Sequence, residues 1–191
     1  MATKPKRRNA EQTKATILAA AQKAFSKGGY AHVGIRDIAA IANVSSSLID
    51  RYYGSKAALF EAALIGAMRK RKAIEGDRSQ FGVQMSRRLI ALDEEMDLLA
   101  MSVLSVGDAE AKEITTRLTR EYILVPLAKW LGGPNARARA ARMLMMSTGF
   151  VTYTRQLPIA PVGGAIASAA GQWIARALQE IVDQSDSDSK K

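Results

Sequence analysis

Apolar residues recur along this chain at the spacing of an α-helix, from near its N-terminus to about residue 184. Ile17, Ala21 and Phe25 fall on one side of a helix with about 3.6 residues per turn, and Gly28-Gly29 supplies a stop signal after them. No segment shows the strict alternation of apolar and polar positions that is typical of a strand. The pattern therefore predicts an all-α fold of about nine helices.

Helix-breaking and N-capping residues divide the chain into its predicted elements. Asn43-Val44-Ser45 separates the second helix from the third, Ser55 is suited to cap the fourth, and Gly132-Gly133-Pro134 is a strong stop. Residues 1–10 are predicted to form a basic flexible arm, and residues 185–191 a disordered tail. The predicted helices cover about 11–27, about ten residues after Val33, 46–52, 56–72, 79–92, 95–105, 109–131, 135–155 and 165–184.

Composition narrows the range of functions. The chain has 191 residues, 48% of them hydrophobic, with one His and no Cys, so disulfide scaffolds and thiolate chemistry are excluded. Acidic residues cluster only around Asp93, where the start of a helix explains them. The sequence contains no nucleophile–base pair, zinc-ligand spacing or Gly-rich phosphate loop, so we predict neither an enzyme nor a protein with a metal or cofactor. It lacks a signal peptide and an apolar stretch of about 18 residues, which favours a soluble cytoplasmic protein with no membrane partner.

The positive charge is concentrated near the N-terminus. The net charge is +10, and residues 1–56 contain ten Lys or Arg residues but only three acidic ones, while the rest of the chain is close to neutral. A basic N-terminal third on a nearly neutral body is typical of a polyanion-binding module attached to a second domain.

The second and third predicted helices, joined by a tight turn, have the arrangement of a helix-turn-helix motif. The third would be the recognition helix, whose N-terminal residues meet base edges in the major groove of DNA. Arg51 is suited to guanine, Leu48 to a thymine methyl group, and Asp50 to the amino group of cytosine. The side chains predicted to face DNA from this helix are Ser46, Ser47, Leu48, Asp50 and Arg51.

The residues that surround this motif resemble the DNA-binding domain of the TetR family of bacterial regulators. The resemblance covers residues 11–71 and is carried by ILAAAQKAFSKGGYAHVGIRDIAAIANVSSSLIDRYYGSKAALFEAAL, residues 17–64. It departs from the family pattern at Ser47, Leu48 and Asp50, so no known operator carries over. The rest of the chain resembles the family's helical domain in pattern and length. The resemblance implies a DNA-binding domain over 11–56, with the start of helix 4 to about 71, and an effector-binding and dimerisation domain over 57–184.

The resemblance also implies roles for further residues. Arg36 would touch DNA near the edge of the groove, Tyr52 and Lys56 would hold phosphates, and the basic arm would add contacts. Tyr52 and Tyr53 are adjacent, so both cannot face the core; we expect Tyr53 to pack and Tyr52 to reach DNA. The complete predicted DNA-binding set is Arg36, Ser45, Ser46, Ser47, Leu48, Asp50, Arg51, Tyr52, Lys56, Lys6, Arg7 and Arg8.

The predicted helices 135–155 and 165–184 are assigned to pairing of two chains, because the first is almost wholly apolar in its second half and the second carries many small residues. A Met- and aromatic-rich set on the body helices is assigned to an effector, although such a stripe is also typical of a core. The predicted effector residues are Met96, Met101, Leu104, Tyr122, Trp130, Met146, Phe150 and Tyr153. The predicted dimer residues are Met143, Ile166, Ala170, Trp173, Ala177 and Ile181.

Together these features predict a sequence-specific transcriptional repressor. A homodimer would bind a palindromic operator in double-stranded DNA and would be released by a small, mostly apolar molecule. Two alternatives remain open at this point: a ligand-independent architectural DNA-binding protein, and an activator or co-repressor-dependent member of the same family.

Overall fold

The computed structural model describes residues 4–70, 77–91, 98–159 and 164–187, with the backbone alone for 4–9, 164–168 and 185–187. Every regular element within these ranges is helical, which confirms the all-α prediction. In the same part of the chain, no helix is both long enough and apolar enough to cross a membrane.

The predicted helices are present with small shifts at their ends. The two long predicted helices 109–131 and 135–155 each contain a π-helical turn, at Arg120–Leu124 and at Thr152–Gln156. A short 3-10 turn, Arg78–Gln80, precedes α5. The α-helices are α1 Lys4–His32, α2 Ile35–Ala42, α3 Ser46–Tyr53, α4 Lys56–Lys70, α5 Phe81–Ile90, α6 Leu98–Leu104, α7 Ala109–Thr119, α8 Val125–Leu131, α9 Ala136–Val151 and α10 Gly164–Ser187.

The first and last helices correct two predictions and confirm a third. Helix α1 begins at Lys4, so the flexible arm predicted over residues 1–10 is wrong for 4–10; Lys, Arg and Ala favour helix, and Pro5 is tolerated in a first turn. The stop predicted at Gly28-Gly29 is confirmed as a break within α1, because Gly29 leaves helical geometry, at φ 69° and ψ 173°, and a separate short helical segment follows to His32. Helix α10 extends to Ser187, so residues 185–187 do not belong to a disordered tail.

The turn between α2 and α3 is built by local chemistry. The carboxylate of Asp37 accepts a hydrogen bond from the backbone N–H of Gly34 at 2.8 Å and so caps the start of α2. Asn43 ends α2 in the left-handed conformation, at φ 52°, which Asn tolerates better than most residues. The N–H of Val44 then bonds to the carbonyl of Ala39 at 3.0 Å, so the chain turns sharply into α3.

The chain forms two compact units. The first unit contains residues 1–70 together with 95–116, and the second contains 71–94 and 117–191. In the first unit, Phe25, Tyr30 and Phe60 form an aromatic cluster with ring centroids 5.1–6.0 Å apart. Helices α1 and α4 are joined where Gln22 Nε2 donates to the carbonyl of Ala63 at 2.9 Å.

The second unit is centred on the close packing of α5 against α10. A Cβ on Gly82 would lie 2.1 Å from the carbonyl oxygen of Ala175, so the two backbones are nearly in contact. The hydroxyl of Ser86 donates to the carbonyl of Gly171 at 2.7 Å. Gly171 is one of the small residues of the predicted helix 165–184, and it serves the packing of α10 within one chain.

Two arginines in the second unit satisfy backbone carbonyls at the C-terminal end of α8. Arg78 donates to the carbonyls of Trp130 and Leu131 at 2.6 and 3.2 Å, and Arg139, which is buried, donates to that of Gly132. The last carbonyls of a helix have no partners within it, so these side chains replace water there. The predicted stop at Gly132-Gly133-Pro134 is confirmed, since α8 ends at Leu131.

Candidate nucleic-acid interface

Helix α3 is held to the core by one of its faces and leaves the opposite face uncovered. Ile49 is buried, with 1% of its surface exposed, and Ile38 of α2 is fully buried in the same unit. Ser47, Asp50 and Arg51 are exposed, while Ser46, Leu48 and Tyr52 are partly exposed. All six belong to the predicted DNA-binding set, so α3 presents to solvent the residues that the sequence assigned to DNA.

The start of α3 is rich in hydroxyl groups. Ser45 occupies the N-cap position but makes no side-chain capping bond; its Oγ lies 3.0 Å from Oγ of Ser47, and either can be the donor. Both residues are exposed. Two short hydroxyls beside the free N–H groups of a helix start suit close approach to a phosphate or a base edge.

Asp50 and Arg51 stand next to each other and carry opposite charges. Neither side chain makes a hydrogen bond or an ion pair with any residue that the structure describes. A guanidinium in this state is free to make the bidentate contact that reads guanine, whereas the carboxylate repels phosphate and accepts only from a base. Arg51 is therefore suited to recognise a base, and Asp50 is suited to disfavour positions where it would face a phosphate or a base without a donor.

The two adjacent tyrosines at the end of α3 have different environments. The hydroxyl of Tyr53 donates to the backbone carbonyl of Lys14 on α1 at 2.9 Å. Burial raises the pKa of Tyr53, and the nearby carboxylate of Glu11 adds to the effect. The ring of Tyr52 instead lies 5.6 Å from the ammonium of Lys14. Tyr53 packs, as expected, and Tyr52 keeps its hydroxyl available.

Lys56 is the first residue of α4, and the preceding Ser55 caps that helix through a bond from the N–H of Ala58 to its Oγ at 3.1 Å. The capping predicted for Ser55 is confirmed. The ammonium of Lys56 lies 4.3 Å from the centroid of the Tyr30 ring. A cation beside a helix N-terminus favours an anion there, so this position is suited to a phosphate.

Two other parts of the predicted set lie on different elements. Arg36 is exposed in the first turn of α2. Lys6, Arg7 and Arg8 lie in the first turns of α1, where the structure describes the backbone alone.

Sequence reasoning missed two features of this interface. Lys14 was not assigned to DNA, yet its ammonium lies beside Tyr52 and only an exposed ion pair at 3.9 Å joins it to Glu11. Tyr30 lies within the stretch 17–64 that carries the family resemblance, but no role was predicted for it. Its ring contacts Lys56, and its hydroxyl donates to Glu110 Oε2 at 2.6 Å. Glu110 follows Tyr30 by eighty positions, so no local pattern links them.

The predicted effector residues are divided between the two compact units. Met101 is buried and Leu104 is partly exposed in the first unit. In the second unit, Trp130 packs against Phe81, with ring centroids 4.8 Å apart, and under the guanidinium of Arg78. Met96 lies outside the described residues. The others are in the second unit, where Tyr153 is exposed and Tyr122, Met146 and Phe150 are partly exposed.

The predicted dimer residues are also of two kinds. Met143 and Ile181 are buried within their own unit, at 2% and 5% exposure, which leaves almost no surface for a partner to cover. Ala170 and Ala177 are partly exposed and Trp173 is 51% exposed, whereas the side chain of Ile166 lies outside the description. Part of the apolar surface of α9 and α10 is therefore buried within the chain itself and is not available to a partner.

Comparison with known proteins is consistent with this geometry. The profile of the tetR family of bacterial regulatory proteins matches residues 17–63, and that of the tetracyclin repressor-like C-terminal domain matches residues 79–182. A comparison with curated proteins finds no match.

Solved structures show the same fold over nearly the whole chain. A TetR-family regulator from Streptomyces coelicolor is 24% identical, with a TM-score of 0.55 over 90% of this chain and 95% of that one. GusR from Salmonella enterica is 17% identical, with a TM-score of 0.68 over 95% and 96%. A protein described as a transcriptional regulator from Saccharomonospora viridis, in complex with choline, is 14% identical, with a TM-score of 0.63 over 91% and 96%.

The two profiles match most of the chain, and the first coincides with the helices that present the uncovered face of α3. The protein belongs to the TetR family of DNA-binding transcription regulators.

Proposed function

We propose that this protein is a repressor that binds a palindromic operator as a homodimer and leaves it when a small molecule binds. The observation that carries the proposal is the surface of α3, where Ile49 alone is buried and Ser47, Asp50 and Arg51 are exposed. An uncovered recognition helix with a cation and short hydroxyls suits direct readout in the major groove.

The proposed contacts divide into two classes. Arg51, Asp50 and Leu48 read bases, because they project from the exposed side of α3. Lys56, Tyr52 and the hydroxyls at the start of α3 hold phosphates and fix the register of the helix on the duplex. Arg36 on α2 and the basic residues at the start of α1 add contacts at the edges of this surface.

Pairing of two chains is supported by exposed apolar side chains on α9, on the turn after it and on α10. Met145 is 71% exposed, Tyr153 53% and Trp173 51%. Large apolar side chains that stay uncovered within one chain favour a partner surface. A two-fold pair would present two recognition helices about one turn of DNA apart, which requires a palindromic site.

Release by a small molecule is the part of the proposal that rests on the second domain. Tyr122 and Phe150 are partly exposed, and each of the long helices that carry them includes a π-helical turn, a feature frequent at functional sites. The regulator from Saccharomonospora viridis was solved with choline, a small organic molecule, which supports a ligand of that size here. Because its proposed target is chromosomal DNA, we expect the protein to act in the cytoplasm.

The test is selection of random DNA by the purified protein at about physiological salt, followed by sequencing. We expect a palindrome with two half-sites to be enriched, and Arg51→Ala to lose preference at one base position while it still binds DNA. Binding with a steep salt dependence but no enriched motif would overturn the proposal in favour of an architectural protein. A motif enriched only when ligand is present would indicate a co-repressor-dependent regulator.

A further inference from the structure

Three side chains from distant parts of the sequence form a continuous contact in the first unit. The ammonium of Lys56, at the start of α4, lies 4.3 Å from the centre of the Tyr30 ring. The hydroxyl of Tyr30, near the end of α1, donates a hydrogen bond to Glu110 Oε2 at 2.6 Å. Glu110 is in the first turn of α7. The ring of Tyr30 therefore connects α7 to the lysine assigned to a DNA phosphate.

The ring of Tyr30 has little freedom to move. It is 5% exposed and stacks near Phe25 at 6.0 Å and against the edge of Phe60 at 5.1 Å. The backbone break at Gly29, at φ 69°, allows the carbonyl of Leu104 to approach within 3.1 Å of the place where a Cβ would stand. The end of α1 is thus packed closely against the end of α6, and the chain that follows α6 brings Glu110 to the hydroxyl.

The charge of Lys56 is not neutralised by this arrangement. No carboxylate among the described residues lies within ion-pair distance of its ammonium. A cation over an aromatic face is attracted to the ring and keeps its N–H groups for another partner. A lysine side chain is otherwise flexible, so holding it against a fixed ring reduces the entropy it loses when it binds an anion.

We propose that Tyr30 is a positioning residue for Lys56 and that Glu110 is the point through which α7 sets the affinity of Lys56 for a DNA phosphate. While Glu110 accepts from Tyr30, the ring is oriented and the ammonium is held at the start of α4. When the first turn of α7 moves away, the ring loses its polar anchor and the phosphate contact weakens. This inference rests on the phosphate contact proposed for Lys56.

The proposal and simple electrostatics predict opposite changes in DNA affinity when the charge of Glu110 is removed. Removal of an acidic group from a DNA-binding protein should strengthen its attraction to DNA. The proposal requires the opposite for Glu110→Ala, a loss of about two- to fivefold in DNA affinity, because the lysine is released from the ring. Glu113 is the matched control, since it is exposed on the same helix and makes no contact with Tyr30.

The experiment measures the affinity of the full-length protein for one B-form duplex over a range of salt concentrations. We expect Glu110→Ala and Tyr30→Phe to weaken binding and Glu113→Ala to leave it unchanged or stronger. Glu110→Gln keeps an acceptor for the Tyr30 hydroxyl but loses the charge, so it should bind at least as tightly as the original protein. In a Lys56→Ala background, Glu110→Ala should cause no further loss. Glu110 is exposed, so its variants are expected to fold, and thermal unfolding checks this.

Two outcomes distinguish failure of this inference from failure of the proposed DNA contact. If Lys56→Ala weakens binding and reduces the salt slope by about 0.9 while Glu110→Ala behaves like Glu113→Ala, only the positioning role is wrong. It is equally wrong if Glu110→Ala still weakens binding when Lys56 is absent. If Lys56→Ala changes neither affinity nor slope, the phosphate contact and the positioning role both fail.

Discussion

The hydroxyl of Tyr53 is bonded to the backbone carbonyl of Lys14, 2.9 Å away on α1, and this bond secures the C-terminal end of the recognition helix. Tyr52, the preceding residue of α3, has no such bond among the described residues and faces the ammonium of Lys14 instead. Adjacent and chemically identical side chains therefore have different environments: Tyr53 holds α3 to α1, whereas Tyr52 is left for the DNA contact proposed above.

This difference predicts that the same substitution affects stability at Tyr53 and DNA binding at Tyr52. Tyr53→Phe should lower the free energy of unfolding by about 1 kcal/mol, because it removes a partly buried hydrogen bond. Tyr52→Phe should leave stability unchanged and weaken DNA binding through loss of a phosphate contact. Urea denaturation and DNA titration of both variants provide the measurement. Unchanged stability of Tyr53→Phe would show that its hydroxyl has no structural role.

Base and phosphate contacts are separable by substitution on α3 and α4. Arg51→Ala should cost about 1–3 kcal/mol at the selected site and relax preference at one position. Lys56→Ala should weaken binding to all sequences by a similar factor. Asp50→Asn should alter the preferred sequence, since an amide both donates and accepts. Repeated selection with each variant tests this assignment; an unchanged motif for Asp50→Asn would remove that residue from the reading set.

Two glycines of the second unit should respond in opposite directions to the same change. Gly82→Ala places a Cβ 2.1 Å from the carbonyl of Ala175 and should destabilise the protein by about 1–3 kcal/mol or more. Gly149→Ala, within α9, meets nothing within 4 Å and should stabilise by about 0.5–1 kcal/mol. Thermal unfolding of the two variants measures both. A neutral Gly82→Ala would mean that α5 and α10 are not in such close contact.

Stability should fall in alkaline solution because of Tyr30. Burial raises its pKa, helped by the hydrogen bond to Glu110 and the charges of Glu110 and Asp108. The folded state thus retains the phenol proton more strongly than the unfolded state, whose pKa is about 10. The resulting stability is present below about pH 10 and is lost as the pH rises above it.

Tyr30→Phe should therefore be less sensitive to pH than the original protein between about pH 9 and about pH 11. The measurement is the urea midpoint at several values across this range, with Tyr52→Phe as the control. Parallel pH profiles for all three proteins would exclude Tyr30 as the titrating group.

The exposed apolar residues of α9 and α10 predict the state of assembly. Trp173→Glu should convert a dimer into a monomer, because it places a charge in the surface that a partner would cover. Val106→Glu is the control, since Val106 is 65% exposed in the other unit. Sedimentation of both variants gives the mass directly. A dimer that survives Trp173→Glu would place the pairing surface elsewhere.

Features set by local chemistry were predictable from the sequence. The stop after Leu131, the left-handed Asn43 and the cap by Ser55 each depend on residues a few positions apart. The choice of Tyr53 as the tyrosine that packs was also correct, because adjacent residues of a helix cannot both face the core, whereas contact of Tyr52 with DNA stays a prediction.

Features that depend on distant segments were not predictable. Periodicity shows that α9 and α10 have apolar faces but not what covers them, so Met143 and Ile181 were assigned to a partner although they are buried in the chain itself. The bond between Tyr30 and Glu110 joins segments eighty positions apart. A sequence pattern describes one helix at a time, whereas such a bond depends on where two helices meet.

The π-helical turn at Arg120–Leu124 has a further consequence for the residues on either side of it. Leu118 and Leu127 are both buried, yet nine residues of uninterrupted α-helix would place them on opposite sides. The turn accommodates one extra residue and brings their angular separation to about 80°. Deletion of a single residue within this turn would leave the two leucines eight positions apart in an uninterrupted α-helix, which keeps the same separation of about 80°. The segment should therefore tolerate the loss of one residue, whereas insertion of another would turn Leu127 and Leu131 away from the interior.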